Sequence, residues 1–343
     1  MRLLKHGGLS GAGLAALGCA ALGGAVLVAV AGPLDPPAGA VASTYKTLTE
    51  VEPRIAISPS STPGDADSLF RITQPGAYYL TGNIAGVAGR NGIKIDADGV
   101  TLDLRGFDVV GVPGSLNGVR VVPGHRGVTV RDGTLRGWGA SGLSAVGGPN
   151  ADGCLYQDLR VTATGTDDSN VALDVGGGST VLNCVAVYNL GTGIRGNNGT
   201  IIGDCTASGN AGDGIICGAG AVRDCLARGN VYDGIRVGAS VVSGCSDSAN
   251  SGAGITIHDG SIARDNTCFA NAWGMYVYGD GSRVDENTLY QNSVGLEVAD
   301  EGNFVIRNTF RANTSTITVA PGNDVGPFDL AATATSPWAN LRQ

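Results

Sequence analysis

Three groups of residues in this 343-residue chain carry side chains suited to chemistry. Asp167 and Asp168 stand side by side in the stretch Ala163 to Asn170, with Asp174 just beyond. A carboxylate pair is what glycoside hydrolysis needs, one group as acid and the other to activate water or attack the sugar. In a Gly/Ser-rich loop the same pair also serves as a solvated turn or an incidental cation site. His258, followed by Asp259, is the one histidine in the C-terminal half, and imidazole titrates close enough to neutrality to act as a general base. The third group is Arg195, Asp213, Asp233, Arg236, Trp273, Tyr276, Tyr278 and Glu297. Aromatic rings offer apolar faces to pyranose C–H groups, and charged groups fix hydroxyls or carboxylates, so this set is a candidate ligand-binding surface for a glycan. Against it stands a plainer reading: outward strand positions must hold something polar, and Tyr and Thr favour strands.

What would bring that third group together is a repeat. Asn189, Asn210, Asn230, Asn250, Asn271, Asn292 and Asn313 recur every 20 or 21 residues. Shortly after each comes a small residue and an aliphatic one, as in Gly214-Ile215, Gly234-Ile235 and Gly254-Ile255. Between them runs a column of Cys184, Cys205, Cys225, Cys245, Asn266, Asn287 and Asn308. This period is too short for helix-pair repeats and matches one turn of a solenoid. Segments such as Gly234-Ile235-Arg236-Val237 alternate apolar and polar, which predicts strands. Recurrent glycine disfavours helix by about 1 kcal/mol at each interior position. Coils stacked at roughly 4.8 Å place Arg195, Ile216, Arg236, Thr256, Tyr276 and Glu297 in one outward column. Asn197, His258 and Tyr278 then lie just beyond it, and Asp213, Asp233 and Trp273 just before it. The corner asparagines are expected at left-handed backbone angles, with amides bonded along the stack. The Cys/Asn column is expected to point inward and end as a buried amide ladder.

The Gly-Ile-x-Val and Val-x-x-Cys/Asn columns with their regular Asn corner resemble the right-handed parallel β-helix repeat of the pectin-lyase-like superfamily, from roughly Asn91 to Val319. The resemblance implies an all-β fold, a single-stranded right-handed parallel β-helix of roughly eleven coils with N- and C-terminal caps. It leaves the chemistry open, because that superfamily spans lyases, hydrolases, epimerases, adhesins and uncharacterised secreted proteins. Thr166-Asp167-Asp168 before Val171-Ala172-Leu173 is faintly similar to the Asp-Asp segment of polygalacturonases, but no Gly-His-Gly or Arg-Ile-Lys follows. The clustered Asp ligands and partner Arg of calcium-dependent pectate lyases are not recognisable either. No cofactor is evident; Ca2+ is compatible with the superfamily but has no motif here.

Residues 1–42 read as an export signal: Arg2 and Lys5, an apolar run from Leu9 to Ala31, and Ala40-Val41-Ala42 as a small-x-small cleavage site. The alternative is an uncleaved anchor, since the run is long enough to span a bilayer. Residues 43–68 form a polar lead-in, 69–319 the β-helix with its N-terminal cap, and 320–343 a C-terminal cap or tail. Loss of the signal removes two positive charges (Arg2, Lys5) and one negative (Asp35), taking the net charge from −8 to −9. An acidic chain without a basic stripe argues against nucleic acid and, once the signal is gone, against membrane surfaces. A polyanionic substrate is less natural too, unless Arg and Lys gather locally or a cation bridges. Of the eight cysteines, Cys19 leaves with the signal and seven occupy apolar columns. Without a CxxC pair or a His/Cys cluster they predict no zinc site and read as buried thiols rather than disulfides. Two readings follow. One is a protein of the secreted, periplasmic or cell-envelope space that binds or processes a polysaccharide or cell-surface glycan as a lyase, hydrolase or epimerase would. The other is a non-catalytic structural or adhesive rod. Whether it is an enzyme, and its oligomeric state, stay open at this point.

Overall fold

The computed structural model describes residues 53–146 and 153–343. The expected signal 1–42 and the first part of the lead-in lie outside the described residues. Within them the regular elements are all strands, and no helix is long and apolar enough to cross a membrane. Twelve strands, from Ser68–Ile72 to Ser315–Val319, stack in parallel as one sheet, here called the front sheet. The remaining strands form a twenty-four-stranded sheet that folds around the back of each coil. Twelve front strands are one more than the roughly eleven coils that the repeat suggests. The extra one is Ser68–Ile72, which pairs in register with Asn91–Ile95 as a full coil.

Register follows the repeat because like residues stack. Ile194, Ile215, Ile235, Ile255, Met275 and Leu296 pair successively along the front sheet, and all are buried. The interior is thin and made of small aliphatic side chains, with Trp138, Tyr156 and Phe310 as its largest members.

The corner asparagines behave differently from expectation in one respect. The left-handed residue is the one before each asparagine: Tyr188, Ala249, Ala270, Gln291 and Ala312, with Gly209 and Gly229 in the same role. That backbone kink turns the asparagine side chain inward, where Asn189 to Asn292 are buried and Asn313, in the last coil, is half-buried. Each amide then donates to the next asparagine's Oδ1, Asn189 to Asn210 at 2.9 Å and Asn210 to Asn230 at 3.0 Å, continuing to Asn313. The thiol column is likewise preceded by left-handed residues, among them Asp204, Asp224, Asp265 and Glu286. Cys154, Cys184, Cys205, Cys217, Cys225, Cys245 and Cys268 are all buried as thiols and not joined in disulfides. At Asn266 the column changes to amides, Asn266 donating to Asn287 at 2.9 Å and Asn287 to Asn308 at 3.0 Å.

Both ends are closed by segments outside the regular repeat. Ile55–Ala56, inside the stretch expected as a polar lead-in, pairs with Tyr78–Tyr79, and Pro63 bridges to Phe70. At the other end Asp324–Val325 and Asn340–Arg342 add strands to the back sheet. Phe328 packs on Phe310 at 5.4 Å, and Asn340 accepts from Asn308 at 3.1 Å, ending the amide ladder.

Candidate functional site

Six front strands position the site: Thr192–Gly196, Ile215–Cys217, Ile235–Gly238, Ala253–His258, Trp273–Tyr278 and Val294–Val298. Their alternation buries every second residue and turns the others outward. The pairing Arg195–Ile216–Arg236–Thr256–Tyr276–Glu297 forms the outward column that the repeat phase predicts. Asp174 precedes it by one coil, opposite Arg195.

Two depressions meet on this face. The first, about 400 Å³, is lined by Asp233, Arg236, Trp273, Tyr276, Tyr278 and Glu297 over Ala253 and Thr256. It therefore gathers six of the eight ligand-binding candidates. The second, about 390 Å³, holds Arg195, Asn197, Ile216, His258 and Asp259 and shares Arg236 with the first. Asp213 lines neither, lying buried behind Arg236. Asp167 and Asp168 line neither as well.

The aromatic side is a continuous run of half-buried rings. Trp273 meets Tyr276 edge-on at 6.3 Å, Tyr276 lies 6.0 Å from Tyr278, and Tyr278 stacks on His258 at 4.7 Å. Trp273 Nε1 donates to Glu297 Oε2 at 2.8 Å, which fixes the indole at the groove's margin. His258 Nδ1 lies 2.9 Å from Asp259 Oδ2, which orients the imidazole. Partial burial raises the Tyr278 hydroxyl above its ordinary value, so the phenol stays protonated and available as a hydrogen-bond donor.

The arginines are already partnered. Arg195 donates to both oxygens of Asp174, at 2.9 and 2.6 Å. Arg236 donates to Asp213 at 2.8 Å and to Asp233 at 3.3 Å. Asp213 also accepts the Asp233 backbone N–H, and Asp233 accepts that of Ala253, so these carboxylates tie coil to coil. Burial raises Asp213 above the usual carboxylate value even with Arg236 beside it. Side-chain bonds to Asp174 hold Arg195 above its ordinary value; for Arg236 burial opposes the charge, but Asp213 and Asp233 outweigh it.

The loop carboxylates have local duties. Asp167 Oδ1 accepts from the Ser169 backbone and hydroxyl, which lowers its pKa. Asp168 accepts from the Tyr232 hydroxyl at 3.1 Å, fastening the loop to a coil 64 residues on. Residue type alone does not mark the Tyr232 contact or the ion pairs made by Asp174, Asp213 and Asp233. The signals for these pairs are short spacings: Asp174 stands one coil before Arg195, and Asp233 three residues before Arg236. Among the described residues no group of three or more His, Cys, Asp or Glu side chains could hold a metal ion.

Comparison with known proteins agrees with this architecture. Residues 117–315 match the family model described as a right handed beta helix region. No curated protein matches the sequence. Among solved structures, the Azotobacter vinelandii mannuronan C-5 epimerase AlgE4 A-module is 14% identical, with a TM-score of 0.53, covering 74% of this chain and 91% of that one. The Dettilon tailspike protein is 15% identical at a TM-score of 0.52, covering 78% of this chain and 61% of that one. The periplasmic alginate epimerase AlgG is 11% identical at a TM-score of 0.50, covering 79% and 82%. At these identities the likeness is one of fold, with its stacked right-handed coils.

Proposed function

We propose that this chain, which belongs to the right-handed β-helix family, binds a polysaccharide on its front sheet. The observation that carries this reading is the aromatic depression itself. Trp273, Tyr276 and Tyr278 line the depression as neighbouring rings, bordered by Arg236 and Glu297 as hydrogen-bonding groups. Apolar faces with a few placed polar groups suit a pyranose better than a compact metabolite or an extended peptide. That proteins of the same fold include epimerases of mannuronan and alginate makes a glycan the first ligand class to test. We place the protein in the secreted, periplasmic or cell-envelope space, on the strength of its charged-then-apolar N-terminus.

A second reading, processing of the bound chain, draws on one observation. His258 is held by Asp259, stacks on Tyr278 and faces the second depression. In that reading His258 takes a proton as general base, while Asp167 and Asp168, engaged by Ser169 and Tyr232, have no part. The test is incubation of the protein with uronate and neutral polysaccharides, with and without calcium. New reducing ends indicate hydrolysis, and ultraviolet absorbance of unsaturated uronates indicates a lyase. Retention on a polysaccharide without either product leaves binding alone. Neither retention nor product favours the non-catalytic rod.

A further inference from the structure

We infer that the glycan accepted by the front-sheet groove is an uncharged polysaccharide and not a polyuronate. The inference rests on the binding role proposed above and names its ligand class. The two depressions and the side chains behind them hold two arginines, Arg195 and Arg236. Facing them are five carboxylates, Asp174, Asp213, Asp233, Asp259 and Glu297. The surplus on this face is therefore negative, in keeping with the acidic whole chain.

Pairing makes the two cations unavailable as well as outnumbered. Asp174 and Asp213 are each 4% exposed, and both are bonded directly to their arginine. A ligand carboxylate that recruited Arg236 would have to draw it from Asp213 and Asp233, leaving buried charge without its partner, which is strongly unfavourable. Further up the same outward column Lys94 is likewise held by Asp65 and Asp67, and Arg120 beside it donates to Ser144. What the groove offers instead is ring faces, the Tyr hydroxyls, Thr256, Asn197 and carboxylate acceptors. Those groups match the C–H faces and hydroxyl donors of neutral sugars.

Affinity electrophoresis of the full chain tests this, with soluble starch, galactomannan and mixed-linkage β-glucan against alginate and polygalacturonate. Runs at ~20 mM and ~500 mM salt, with and without calcium, separate charge from contact. The expected result is retention by a neutral polymer that changes less than about twofold with salt, with polyuronates bound at least about tenfold more weakly. The Tyr276→Ala variant, checked for an unchanged melting temperature, should lose the neutral retention and so place it in the groove. Polyuronate retention at low salt that fades as salt is added overturns the inference while leaving polysaccharide binding intact. Retention of polyuronate only with calcium overturns it as well, because a bridging cation then sets the ligand class. No retention by any polymer removes the binding reading itself, and this inference with it.

Discussion

Asp247 occupies an inward column whose neighbours along the stack are Ala227 and Cys268. It is fully buried, and neither carboxylate oxygen has a hydrogen-bond partner. Burial pushes its pKa well above the ordinary aspartate value, with Cys245 adding to the shift. The folded state therefore holds a proton that the unfolded chain releases. Stability from this group is intact below the unfolded value near 4 and is lost as pH rises toward the folded value. Asp247→Asn removes the titration. We expect the variant to be more stable than the parent at pH 8 by about 1–3 kcal/mol, with the gap closing at pH 4, in urea denaturation. A constant difference across that range would show that the carboxyl does not titrate with folding. In the sequence the sign that Asp247 points inward is its phase with Ala227, 20 residues before, and Cys268, 21 residues after.

The ladders are the elements that turn a repeat into a rod. Asn230 receives the backbone and side-chain N–H of Asn210 and donates to Asn250 and to the Ala207 carbonyl. Asn230→Ala strips partners from buried donors on one side and a buried acceptor on the other, at a cost of about 2–4 kcal/mol. Cys225→Ala removes only a packed sulfur and is expected to cost about 1 kcal/mol. Thermal or urea unfolding of both variants checks the order; equal losses would mean that the amide chain adds nothing beyond packing. Since the seven buried cysteines are not joined in disulfides, a reductant should leave the melting temperature unchanged. A fall on reduction would reveal a disulfide. Columns, register and inward thiols were readable from the sequence because period and polarity agree over seven coils. The kink one residue before each asparagine was not, since Tyr, Gly, Ala and Gln share that position without a common side chain. Nor was Asn340 as the ladder's end, because it lies 32 residues past Asn308 and outside the period.

Taken whole, the molecule is a stack whose outward columns decide what it can touch. The phase of the repeat alone puts Arg236, Tyr276 and Glu297 in one column, and the front sheet bears that out. It did not show that Arg195 and Arg236 are already satisfied, because ion pairing depends on side-chain reach and not on period. With both arginines held by buried carboxylates, the face is acidic and aromatic in character. The Asp167-Asp168 pair shows the same limit in reverse: suited to catalysis by type, it is tied to Ser169 and Tyr232 by geometry.

Polysaccharide binding by the rings of the front sheet is the step on which the rest depends. Its most direct measurement is affinity electrophoresis of the full chain beside the double variant Trp273→Ala with Tyr276→Ala, in gels containing each polysaccharide, with melting curves on both proteins. A polymer should retard the parent and not the variant, while the two differ in stability by no more than about 1 kcal/mol, as for surface positions. Equal retardation of both folded proteins, or none of either, would contradict it.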